Sequence, residues 1–67
     1  MYKLMHTNVD GYMSCRAEFD TEPTAKELTE VLLDYHDEDE VVEAVGDLLN
    51  YWECTINDSS CTQYRLV

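Results

Sequence analysis

Thr24-Ala-Lys-Glu27-Leu28-Thr-Glu30-Val31-Leu32-Leu-Asp34-Tyr35 and Asp37-Glu-Asp-Glu40-Val41-Val-Glu43-Ala44-Val45-Gly-Asp47-Leu48 are two copies of one pattern, thirteen residues apart. Each copy opens on a capping residue with Glu three places later, the arrangement in which side chain and backbone close a helix N-terminus on each other. Each then sets Glu, Glu and Asp at i, i+3 and i+7 against apolar residues at i+1, i+4, i+5 and i+8. That is an amphipathic helix with an acidic outer face. One continuous helix does not satisfy both copies. Thirteen residues at 100° each turn the second copy by roughly 220°, which carries Glu40, Glu43 and Asp47 to the apolar side of the first. A break at His36-Asp37 resolves the conflict, so the spacing predicts two short helices over about 25–36 and 38–50, with a single kinked helix as the alternative.

Outward from this pair the periodicity changes to two. Met13, Cys15, Ala17 and Phe19 alternate with Tyr12, Ser14, Arg16 and Glu18, which predicts a strand with the first set buried and the second wet. Asp10-Gly11 is a hairpin turn signal, so residues 2–8 and 12–19 pair. Pro23 stands just before the first helix start. On the far side Trp52, Cys54 and Ile56 alternate, as do Tyr64 and Leu66, with Asn57-Asp-Ser-Ser60 as the polar turn between them. The expectation is a single α+β domain over 1–67 in the order ββααββ, with two acidic helices packed across one face of a small antiparallel sheet.

Sixty-seven residues permit one small core, and 45% apolar content with aromatics spread along the chain argues against disorder. A net charge of −11 costs such a domain stability through self-repulsion, so the acid is either tolerated by habitat or kept for use. Most of the 15 acidic side chains fall between Glu22 and Glu53, against one basic residue, Lys26. Adaptation to salt would spread acid over every element, whereas the predicted strands carry Lys3, Arg16 and Arg65. An acidic surface repels nucleic acid and anionic membranes, so direct binding to either is disfavoured and a basic protein partner is favoured. Met-Tyr-Lys-Leu-Met-His offers no apolar run for a signal peptide, and no segment is long enough to span a bilayer, so a cytoplasmic location is expected. Cys15, Cys54 and Cys61 are an odd number, which fits free buried thiols better than a disulfide framework. A Cys54–Cys61 pair would need a turn at Asn57-Asp58, where no glycine favours it.

The residues for chemistry are sparse. Asp37-Glu-Asp-Glu40 lacks the glycine and the spacing of a calcium loop and fits the acidic first turn of a helix. His6, His36 and the three cysteines show no zinc-type spacing. Cys15, on a strand face expected to be apolar, makes a poor thiolate nucleophile. No metal, no cofactor and no catalysis are expected. Tyr12, Leu33 and Tyr51 fall off their apolar arcs, and tyrosine beside carboxylates suits contact with an arginine-rich surface.

In size, charge, acidic helices on a small sheet and lack of catalytic residues, the chain resembles the small acidic inhibitors encoded by phages and mobile elements. Anti-CRISPR proteins, anti-restriction DNA mimics and phage inhibitors of host RNA polymerase belong to this class. The resemblance implies a non-catalytic inhibitor in the host cytoplasm that blocks the DNA or RNA site of a CRISPR effector, restriction enzyme or RNA polymerase. The residues expected to touch such a partner are Glu27, Glu30, Asp34, Asp37, Glu38, Asp39, Glu40, Glu43 and Asp47. Carboxylates at i, i+3 and i+7 lie about 4.5 and 6 Å apart along a helix. Two such rows side by side would approach the charge density of a nucleic acid, roughly one charge per 3.4 Å per strand. Two other readings stay open: an antitoxin or immunity protein for a basic nuclease, and a structural, assembly or homodimeric module whose acid serves solubility.

Overall fold

The computed structural model describes residues 1–56 and 62–67. The elements run β1 (Tyr2–Thr7), β2 (Met13–Phe19), α1 (Ala25–Leu33), α2 (Glu38–Tyr51), β3 (Glu53–Ile56) and β4 (Thr62–Leu66). All pairings are antiparallel and the sheet order is β2-β1-β4-β3. This is the expected α+β fold in the order ββααββ. The expected turn at 57–60, Cys61 and its pairing with Cys54 lie outside the described residues.

The first and last strands are neighbours in the middle of the sheet, tied at the rim by reciprocal Lys3 and Val67 backbone bonds of 2.8 and 2.9 Å. In the β1–β2 connection the Asn8 Oδ1 accepts the amides of Asp10 and Tyr12, and Gly11 sits at φ +87°, a conformation glycine adopts at little cost. Both helices start where the capping residues stand. Thr24 Oγ1 accepts the Glu27 amide and Glu27 returns a carboxylate to the Thr24 amide; Glu40 reaches the Asp37 amide in the same way. The chain breaks between Leu33 and Glu38, around the expected His36-Asp37 point.

Leu28 and Leu32 from α1 and Val41, Ala44, Val45 and Leu48 from α2 close on Leu4, Cys54, Ile56, Tyr64 and Leu66 of the sheet. One sheet face is thereby covered and the other is open. The open face carries Lys3, Met5, Thr7, Gln63, Arg65, Glu53 and Thr55, set by strand alternation opposite the buried Leu4, Tyr64, Leu66, Cys54 and Ile56.

One expectation fails inside β2. Leu4 pairs with Ala17 and Met5 with Cys15, so Arg16 is the extra residue of a β-bulge. The bulge reverses the alternation. Ala17 and Phe19 pack against the core as expected, while Met13 and Cys15 turn to the open face and are exposed. Arg16, expected on the wet face, turns beneath the helix layer. Tyr35 also departs from expectation. It lies beyond the end of α1, half exposed rather than in the apolar arc. No helix among the described residues is long and apolar enough to cross a membrane.

Candidate functional site

The nine acidic positions all lie on α1, on α2 or in the segment joining them. Glu27, Glu30, Asp34, Asp37, Glu38, Asp39 and Glu43 are exposed, while Glu40 and Asp47 are partly covered. Glu27 and Glu40 share their charge with the helix caps described above. Among the described residues none of the nine is within ion-pairing distance of a cation. An ion pair among the described residues joins Arg65 to Glu53 at 3.2 Å on the open sheet face, with both side chains 62% exposed. Acid is thus concentrated in the helix layer, where Lys26 is the one basic residue of the two helices, while Lys3 and Arg65 belong to the sheet.

The two rows do not stand side by side. Glu40, Glu43 and Asp47 line a depression of about 180 Å³ against Thr55 and Ile56 of the edge strand β3. α1 packs against α2, yet none of Glu27, Glu30 and Asp34 lines this depression. At 100° per residue, Val42 and Leu49 project more than about 100° away from the α2 row. Val42 is 67% exposed, and Leu33 and Leu49 are also exposed, so the helix layer presents apolar surface as well as acid. Asp47 acts on β3 directly. The Cys54 thiol is pushed up to about 11, first by burial and then by the Asp47 charge.

A second depression, of about 690 Å³, continues from Asp47 and Tyr51 around the β3 edge to Glu53, Thr55, Gln63 and Arg65. Tyr51 and Tyr12, the aromatics expected at the surface, are 72% and 75% exposed, and Leu33 is exposed as expected. Tyr51 borders this depression, beside the carboxylates of Asp47 and Glu53.

Apart from the acid, the fold gathers a polar cluster that no local sequence signal announced. The Arg16 guanidinium lies 3.8 Å over the Tyr35 ring, and it is the bulge that turns it there. The buried Tyr64 hydroxyl is 2.8 Å from His36 Nε2, and both the His6 and His36 rings pack on the Tyr64 ring. Burial raises the Tyr64 hydroxyl above its ordinary value, opposed by Arg16. Burial also lowers His6, reinforced by the nearby Arg16 and His36. Ser14 Oγ stands 3.5 Å from His6 Nδ1. A hydroxyl beside a neutral imidazole is part of a nucleophilic pair, but such a pair needs a third group that orients the base and steadies its charge. The charged groups acting on His6 here are cationic, which works against that role. The cluster reads as a lock between β2, β4 and the α1–α2 joint. Among the described residues no three of His, Cys, Asp and Glu converge as metal ligands would.

No protein-family model matches the chain, and neither curated proteins nor solved structures offer a match.

Proposed function

We propose that the protein is a non-catalytic inhibitor that lays its acidic helix layer on a basic, nucleic-acid-handling protein and blocks that protein's DNA or RNA site. The observation that carries the reading is the set of exposed helix carboxylates with no neutralising cation among the described residues, in a chain of net charge −11. Lys26 is the one basic residue of the two helices, while Lys3 and Arg65 lie on the open sheet face, so the helix layer carries a large excess of acid. Segregation gives the molecule a negative side, which steers it towards a positive groove and repels wrong partners. The exposed apolar side chains of the helix layer, Leu33, Val42 and Leu49, supply contact area that charge alone lacks. A phage-type counter-defence protein acting on a CRISPR effector, restriction enzyme or RNA polymerase fits this surface, as does an antitoxin for a basic nuclease.

The uncovered sheet face, with Met13 61% exposed, favours a second reading as an assembly or homodimer module. Affinity capture from host lysate at two salt concentrations separates the two. The inhibitor reading expects a basic partner retained at low salt, shed at high salt and lost on Glu43→Lys with Asp47→Lys. Self-association through Met13 and Cys15, unaffected by that reversal and with no basic partner retained, would replace it with the assembly reading.

A further inference from the structure

The sheet ends on an open edge beside the acidic row of α2. Among the described residues β3 pairs only with β4, and the Leu66 amide donates to the Trp52 carbonyl at 2.8 Å. In an antiparallel ladder bonded pairs alternate with unbonded ones. Trp52 faces Leu66 across the same register that pairs Cys54 with Tyr64 and Ile56 with Thr62, so these are the bonded pairs. Glu53 and Thr55 therefore turn their N–H and C=O groups outward, where no described residue meets them. An exposed edge of this kind is a template for another strand. Room exists on both sides of it, in the depressions of about 180 and 690 Å³ that share Asp47 and Thr55.

We infer that the outer edge of β3 takes an extended basic segment of the partner as a fifth strand, with a cation on every second residue. The inference rests on the acidic-face reading and adds to it a conformation and a sequence pattern. Directly opposed residues share a sheet face. Partner residues opposite Cys54 and Ile56 emerge on the helix side, among the carboxylates of Glu40, Glu43 and Asp47. Partner residues opposite Glu53 and Thr55 emerge on the open face, where Glu53 is already occupied by Arg65 and the neighbours are Tyr51, Thr55 and Gln63. The helix side asks for arginine or lysine and the open side for neutral polar or aromatic residues. Charge complementarity selects this occupant over the β3 edge of a second copy of the chain, which is flanked by the same acid.

Binding of a synthetic peptide of about eight residues that alternates arginine and threonine tests this, compared with the same peptide N-methylated at the threonines and with one whose arginines are contiguous. N-methylation leaves the charge and removes edge hydrogen bonds. Losing two or more of these should weaken binding by about tenfold or more. The Glu53 and Thr55 amides should also gain protection from exchange when the alternating peptide binds. Thr55→Pro gives the same loss from the protein side. Its amide points away from β4, so the ladder keeps its bonds and the melting curve should hold. Equal affinity for all three peptides, or spectral changes confined to the helices, overturns the strand proposal and leaves the acidic-face reading in place. Failure of every basic peptide to bind at low salt overturns both.

Discussion

The two helices carry nearly the same pattern and live in different surroundings. α1 buries Leu28 and Leu32, packs chiefly against α2, and presents Glu27 and Glu30 to solvent. α2 buries Val41, Ala44, Val45 and Leu48, rests on β3 and β4, and half-covers Glu40 and Asp47 in a groove. Matching sequence patterns produced two capped helices, of 9 and 14 residues, in unequal electrostatic surroundings. Solvent on all sides makes the α1 row a screened surface charge, whereas the lower-dielectric flank of β3 strengthens what Asp47 can do.

The largest effects come from the core. Leu32→Ala in α1 and Leu48→Ala in α2 each remove a fully buried side chain and should each cost about 3 kcal/mol, lowering the melting temperature by more than ~10 °C. Leu33→Ala, at an exposed position, should change it little. Thermal unfolding of the three variants checks this. A cheap Leu32→Ala beside a costly Leu48→Ala would mean that α1 is docked loosely, and the comparison would become one between a firm helix and a soft one.

A smaller effect sharpens the electrostatic contrast. Asp47→Asn removes the charge that helps hold the Cys54 thiol high, so the pH midpoint for Cys54 alkylation should fall from about 11. Asp34→Asn should leave it where it is. Site-resolved mass spectrometry follows the reaction, with the exposed Cys15 as the fast internal reference. Equal responses to the two substitutions would erase the distinction between the rows.

The smallest effect belongs to the joint between the layers. His6 is held below its ordinary value of 6.5 by burial, then by Arg16 and His36. The folded state therefore binds fewer protons than the unfolded state as pH falls through 6.5, and stability drops over that window. Relief of carboxylate repulsion acts in the opposite direction, so the test is a difference. His6→Asn should lose less stability than the parent between pH 7 and pH 5.5, measured by denaturant unfolding at each pH. Parallel pH curves for the two proteins would remove His6 from the account.

What the sequence could and could not disclose follows from the range of each interaction. The helix starts at Thr24 and Asp37, the break between copies and the ββααββ order rest on contacts within a few residues, and all were legible. The β-bulge was not. Arg16 becomes the extra residue only because Met5 pairs with Cys15 across the hairpin, and that register inverts the burial of Met13 and Cys15. The cluster of Arg16, Tyr35, His36 and Tyr64 joins residues distant in the chain, His36 and Tyr64 being 28 positions apart, with no local periodicity to betray it. The nine carboxylates were legible as a helix surface. That α2 would turn its row to the β3 edge depends on how the helices sit on the sheet.

The central claim is that the acidic helix layer is the binding surface. The most direct test measures the affinity of a captured basic partner for the parent, for Glu30→Lys with Asp34→Lys and for Glu43→Lys with Asp47→Lys, across salt and with competing nucleic acid. The account expects tight binding at low salt that falls steeply as salt rises, displacement by DNA or RNA, and a loss of about tenfold or more from each reversal, larger for the α2 pair. An affinity that ignores salt, competitor and both reversals would contradict it, and would move the interface to the open sheet face around Tyr12, Met13 and Arg65.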